Sequence, residues 1–148
     1  MYNLLAESMP KGVWVVPLTR LYYHVTWAVK GRTPLLEPAW EARVYNVIIK
    51  KVESLGGRVH AIGGVEDHIH VLFSLPPKVS LSECIAQMKG SSSHFINHVI
   101  QPDIHFAWQR EYGAFTVSEQ DVRRLVQYIR QQRIHHSQNS IIRQWENL

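Results

Sequence analysis

Hydrophobic and polar positions along the chain change period several times, and each change predicts a new element. Tyr22 to Lys30 is dense in β-branched and aromatic side chains and predicts a strand. Gly31, Thr33 and Pro34 break it into a loop. Pro38 suits the first position of a helix, and Val44, Ile48, Val52 and Leu55 then recur at helical spacing up to Gly56-Gly57. Arg58–Val65 and His68–Leu75 predict two strands joined as a hairpin through Glu66-Asp67, and Pro76-Pro77 stops the second. Ser80 or Ser82 can cap a helix that runs to about Val99 with Ile85, Met88, Phe95 and Val99 on one face. Residues 105–117 hold two short strand-like pieces around Tyr112-Gly113. Ser118 caps a last helix to about His136, with Glu119 and Asp121 in the turn where the helix dipole favours acid.

The order β α β β α β(β) α is that of an α+β, ferredoxin-like or RRM-like antiparallel sheet. Two helices would cover one face, leaving the other free for a ligand, a partner or the additional C-terminal helix, the one that carries Tyr128. Residues 1–20 read as an N-terminal extension with a short apolar Val13–Val16 run, residues 21–137 as one domain, and residues 138–148 as a tail. A chain of 148 residues is the usual size of one domain and can bury one real core.

Composition narrows the partners. The net charge of +4 is mildly basic and favours a nucleic-acid partner over an acidic one. No apolar run reaches the ~18 residues of a membrane span, so no membrane association is expected. Glu7 and Pro10-Lys11-Gly12 stand where a signal peptide needs its apolar stretch. The single cysteine, Cys84, excludes an intrachain disulfide and a cysteine-rich zinc site, which suits a reducing, cytoplasmic location.

With nine histidines in the chain, His68-Ile69-His70 is the central pattern. Residues i and i+2 of a strand share a face, so both imidazoles emerge together, about 7 Å apart along the strand. Two neutral imidazoles converging on one point can hold a divalent cation, with Glu66 and Asp67 as acceptors for their other ring N–H groups. An H-x-H triplet also arises by chance, and two ligands are too few for a catalytic metal. The last helix offers more. Val122, Leu125, Val126 and Ile129 form its apolar stripe, and Tyr128, Gln132 and His135 stack beside it at i, i+4, i+7. Against the free sheet face, Gln132 would complete the ligand set, with Tyr128 one turn away. A boundary tyrosine with a wet hydroxyl is equally ordinary. Arg123, Arg124, Arg130 and Arg133 add basic character suited to phosphate, or simply solvate the helix.

At this point the sequence resembles the IS200-like, single-tyrosine transposases, a family that includes the REP-associated tyrosine transposases. HIHVLFSLPP at 68–77 is similar to the family's His-hydrophobic-His segment, and YIRQQRIHH at 128–136 to its tyrosine helix. YYHVTWAVKGRTPLL at 22–36, SLSECIAQMKGSSSHFIN at 80–97 and FAWQREYGAFTVS at 106–118 resemble its first strand and loop, its second helix and the stretch before the last helix. The resemblance spans about residues 20–137. It implies that His68, His70 and Gln132 bind Mg²⁺ or Mn²⁺; apart from the resemblance, Glu66, Asp67 and His135 are candidates to stand behind these ligands. It implies Tyr128 as nucleophile, a homodimer, and single-stranded DNA with hairpins as partner. Residues 1–20 have no clear counterpart, and the loop Lys30–Thr33 is less basic than is usual.

Lys30, Arg32, Lys78, Lys89, Arg110, Arg124 and Arg130 are candidate phosphate contacts, or ordinary solubilising charges. Trp27, Trp108 and Tyr112 could stack unpaired bases or pack in the core. Two rival readings remain: a non-catalytic ferredoxin-like module for single-stranded DNA or RNA, and a zinc hydrolase built on His68, His70 and His135.

Overall fold

The structure, a computed structural model, describes residues 17–146. The Val13–Val16 run and most of the N-terminal extension lie outside the described residues. The elements are β1 (Tyr22–Ala28), α1 (Glu41–Ser54), β2 (Arg58–Val65), β3 (His68–Ser74), α2 (Leu81–Phe95), β4 (Gly113–Val117), α3 (Val122–Arg130), α4 (Gln132–Ser137) and α5 (Arg143–Glu146). The four strands form one sheet in the order β2-β3-β1-β4, and every neighbouring pair is antiparallel. This is the α+β, ferredoxin-like arrangement that the element order predicts.

Alternation along the strands sends side chains to two different layers. Val25, Trp27, Ile69, Val71 and Phe73 point to one face and pack with Val44, Ile48 and Val52 of α1 and Cys84, Ile85 and Met88 of α2. Each such large side chain taken out of water contributes about 1.5–3 kcal/mol. On the opposite face, Ala61 and Leu72 pack with Leu125, Tyr128 and Ile129 of α3. Leu72 has the parity of His68 and His70 and joins this second cluster. Register then puts more polar groups on the same face: Thr26 lies opposite His70 and His24 opposite Leu72.

Three elements differ from the sequence expectation. Helix α2 passes into a π-helical turn at Ile96–Ile100, closed by Gln101 at φ 55°. Of the two strand-like pieces in 105–117, only β4 forms, and the first is reduced to an isolated bridge between Val29 and Trp108. The last helix is broken. Gln131, at φ −106° and ψ 21°, separates α3 from α4, and its N–H is shared between the carbonyls of Gln127 and Tyr128.

Two close contacts fix the second layer. A Cβ on Gly63 would lie 2.4 Å from the Ile129 carbonyl oxygen, so only glycine lets α3 settle onto β2 this closely. Arg133 of α4 donates to Glu66 in the β2–β3 turn and to Glu41 of α1.

Candidate active site

The site begins with the His68-Ile69-His70 alternation. Both imidazoles are fully buried on the face that carries α3. Their Nδ1 atoms are engaged by different partners. His68 Nδ1 lies 2.7 Å from Asp67 Oδ1, and His70 Nδ1 lies 2.9 Å from Nε2 of His24 on the neighbouring strand. Their Nε2 atoms have no hydrogen-bond partner. Both point to one place, and Glu146 Oε2 of α5 sits 3.4 Å from each. Ligand atoms of His68, His70 and Glu146 all lie within 4.8 Å of one another. Buried imidazole nitrogens without partners cost free energy unless something fills the gap. Two nitrogens and a carboxylate oxygen so placed fit a small divalent cation.

The tyrosine helix meets this cluster within one chain. Tyr128 is 3% exposed. Its hydroxyl donates to Glu146 Oε1 and accepts the N–H of Ile142 at 3.0 Å. Its ring lies against His135, centroids 4.5 Å apart, and meets the edge of Trp145 at 4.9 Å. The Gln132 amide is buried one turn on, with Nε2 3.3 Å from Glu146 Oε1 and Oε1 3.2 Å from His136 Nε2. One carboxylate therefore joins His68, His70, Tyr128 and Gln132.

Electrostatics follow from burial and from that carboxylate. Burial alone would raise the Glu146 acid, but the two imidazoles hold it far below the usual carboxylate range. Burial, then the hydrogen bond to Glu146, pushes the Tyr128 phenol up to about 12. Burial lowers His70, and burial with neighbouring His70 brings His24 down to about 3. Burial also opposes charge on His68, but Glu146 and Asp67 outweigh it and raise its pKa.

Other expected residues fall in different places. Of the acceptors considered behind the imidazoles, Asp67 takes His68, whereas Glu66 turns away to Arg133. His135 is not at the cluster: it lies on Tyr128, and its Nδ1 meets Ser140 Oγ at 3.1 Å. His136 stands there instead, its ring 4.8 Å from that of His68. His136 follows Gln132 by four residues in α4 and meets its amide, which carries it to the cluster, whereas His135 keeps the i+7 position over the Tyr128 ring. The zinc hydrolase built on His68, His70 and His135 has no geometric basis once His135 stands apart.

Among the basic candidates, Arg32 pairs with Asp67 at 3.1 Å, and Arg124 lies over the Trp145 ring at 5.2 Å. Lys89 is a structural group, its Nζ 2.6 Å and 3.0 Å from the carbonyl oxygens of Gln109 and Arg110. Lys30, Lys78, Arg110 and Arg130 are exposed. Trp27 is fully buried, and Trp108 is 9% exposed with its N–H donated to Ser92, so neither can stack a base. Tyr112 remains exposed. His24, Glu146 and His136 escape the sequence reading. His24 and Thr26 alternating with Val25 and Trp27 carried a signal for the first, whereas α5 returns to the site over a distance that no local pattern encodes.

Comparison with known proteins bears on the family and the fold. Residues 17–132 match the family model described as transposase IS200 like. The chain is 26% identical over 137 residues to the ISDra2 transposase of Deinococcus radiodurans, covering 88% of this chain and 96% of that one. It is 28% identical over 116 residues to the transposase for insertion sequence element IS200 of Salmonella typhimurium, covering 74% and 75%. A candidate transposase of Deinococcus radiodurans R1, known from a crystal structure, superposes with a TM-score of 0.62 at 26% identity, over 84% of this chain and 98% of that one. A REP-associated tyrosine transposase bound to a REP hairpin shares the fold, with a TM-score of 0.62 at 18% identity over 82% and 74%. No helix among the described residues is long and apolar enough to cross a membrane. With the family model spanning most of the chain and the fold shared by solved relatives, the chain belongs to the IS200-like transposase family.

Proposed function

We propose that this protein cleaves and rejoins single-stranded DNA through a 5′-phosphotyrosine on Tyr128, with a divalent cation held by His68 and His70. The observation that carries the reading is the convergence of both unpartnered Nε2 atoms and the Tyr128 hydroxyl on one carboxylate. Gln132 is the further protein donor, and Glu146 the anionic group beside it. When bound, Mn²⁺ or Mg²⁺ supplies positive charge that offsets the charge built up on the scissile phosphate.

The residues of the chain do the rest. Tyr128 oxygen forms a bond to phosphorus as the bond to the 3′ oxygen breaks. The phenol gives up a proton, and the leaving 3′ oxygen takes one up. Bond energy is kept in the tyrosine ester, so a second 3′-hydroxyl reverses the step and joins new ends. Tyr128 lies beneath Ile142 to Glu146, so DNA reaches it when that segment withdraws. Asp67 and Glu66 hold different parts of the site: Asp67 orients His68, and Glu66 anchors α4 through Arg133. Lys30, Lys78, Arg110 and Arg130 are the exposed cations for phosphate contact. The REP hairpin in the structure of a fold relative supports hairpin-forming single strands as substrate, and we place the protein as a homodimer on them.

The test incubates the protein with labelled single-stranded hairpin DNA and Mn²⁺ and seeks a protein–DNA adduct that survives denaturation. The expected result is an adduct that Tyr128→Phe abolishes while DNA binding persists. Tight binding without an adduct on any hairpin would overturn this reading in favour of a binding module.

A further inference from the structure

Three histidines, not two, are buried on the face that carries α3. We propose that His24 is a positioning residue that fixes the tautomer of His70, so that His70 presents an unprotonated Nε2 to the cation. The inference rests on the metal site proposed above and adds a part that no pattern within β3 supplies.

The geometry of the pair is that of an in-plane hydrogen bond. The ring planes of His24 and His70 differ by 17°, and their centroids are 5.2 Å apart. The nearest nitrogens are only 2.9 Å apart, so the rings meet edge to edge rather than face to face. One proton lies between His24 Nε2 and His70 Nδ1, and it belongs to one ring or the other. A ligating imidazole needs its lone pair on the nitrogen that faces the metal. If His70 Nε2 is that nitrogen, its proton sits on Nδ1, and His24 Nε2 must accept it.

His68 shows the same logic with a different acceptor. Its Nδ1 faces Asp67, and an ionised carboxylate can only accept, so the proton stays on Nδ1 and Nε2 is free. The two ligands of the pair are therefore held alike, one by a carboxylate and one by a neutral ring. His24 is kept in place by more than apolar fit. It is fully buried, its ring lies 5.9 Å from that of Phe115, and its own Nδ1 has no partner. An unpartnered buried polar atom is destabilising, a cost that an apolar side chain would avoid. Retaining imidazole there makes sense if its other nitrogen has a task.

The experiment compares the full chain with His24→Phe, which keeps a planar ring and removes the acceptor, and with His24→Gln, whose amide oxygen can reach the place of Nε2. The first readout is the ring nitrogen chemical shifts of His70 in metal-free protein. The wild type and His24→Gln should carry the proton on Nδ1, and His24→Phe should lose that preference. The second is Mn²⁺ affinity without DNA, followed by the electron paramagnetic resonance signal of free Mn²⁺. Loss of an orienting partner typically weakens a site by roughly 10–100-fold, so His24→Phe should fall in that range and His24→Gln within about threefold of wild type. A wild-type His70 protonated on Nε2, or an unchanged Mn²⁺ affinity in His24→Phe, overturns the inference. If His24→Phe does not fold, the wild-type tautomer decides alone. Correct tautomer and Mn²⁺ binding without any DNA adduct would sink the cleavage reading and leave His24 its role.

Discussion

On the face that carries α1 and α2, the central strands contribute Val25, Trp27, Ile69, Val71 and Phe73; on the face that carries α3, the same strands contribute His24, Thr26, His68, His70 and Leu72. Both sets are buried, but only the first is uniformly apolar. The first layer packs hydrocarbon against hydrocarbon and stabilises the domain. The second encloses imidazoles with unpartnered nitrogens, and a carboxylate reaches in from α5. The contrast teaches that one sheet sends uniformly apolar packing to one layer and gathers buried polar groups in the other. A strand residue's parity decides which of the two layers it joins.

The largest expected effect lies on the apolar side. Phe73→Ala removes a fully buried ring from the packed layer and leaves a cavity, which should cost about 3–5 kcal/mol in denaturant unfolding. An effect below that of an exposed-site change would mean that the layer is not the main source of stability.

How much of this division is legible in the sequence depends on how local each signal is. The histidine pair on β3 was readable because strand period and residue type coincide at His68 and His70. The row of Val44, Ile48 and Val52, spaced four residues apart, was readable for the same reason on α1. His24 alternates with Val25 in β1, but a lone histidine has no second one two residues away to mark it, and its contact with His70 is made only by the pairing of β1 with β3. His136 was hidden because its place at the cluster follows from Gln132, four residues before it, and not from the line that Tyr128 and His135 share. Glu146 was hidden because its contact with His70 is made across 76 positions of chain, and only the folded sheet brings the two together.

A second change tests the seam between the layers. Gly63→Ala places a Cβ where the Ile129 carbonyl oxygen now lies, so α3 must lift from β2. Overpacking of this kind typically costs about 1–3 kcal/mol. The phenol of Tyr128 rides on α3, and misplacement by roughly 1 Å can cost on the order of 100-fold in rate. Adduct formation should therefore fall by more than stability does, whereas Phe73→Ala should act chiefly on stability. Equal losses in the two measurements would argue that α3 carries no special geometry.

The smallest effect concerns the anchor of α4. Arg133 donates to Glu66 and Glu41, and the hydrogen bond to Arg133 is the main reason that Glu66 titrates below the usual carboxylate range. A folded-state pKa below the unfolded one gives stability that is present above the unfolded value, about 4.3, and lost as pH falls through the folded one. Glu66 is partly exposed, its side chain retaining 44% of its accessibility, so water and salt screen the pair. Exposed ion pairs contribute about 0–1 kcal/mol, and this one belongs in that range. Wild-type melting temperature should decline between neutral pH and the acid side of the carboxylate range. Glu66→Gln should start slightly lower and lose less over the same interval, because it has no proton to take up. Parallel pH profiles for the two proteins would remove Glu66 from the forces that hold α4, and leave the contact between Gly63 and Ile129 as the main constraint on the tyrosine layer.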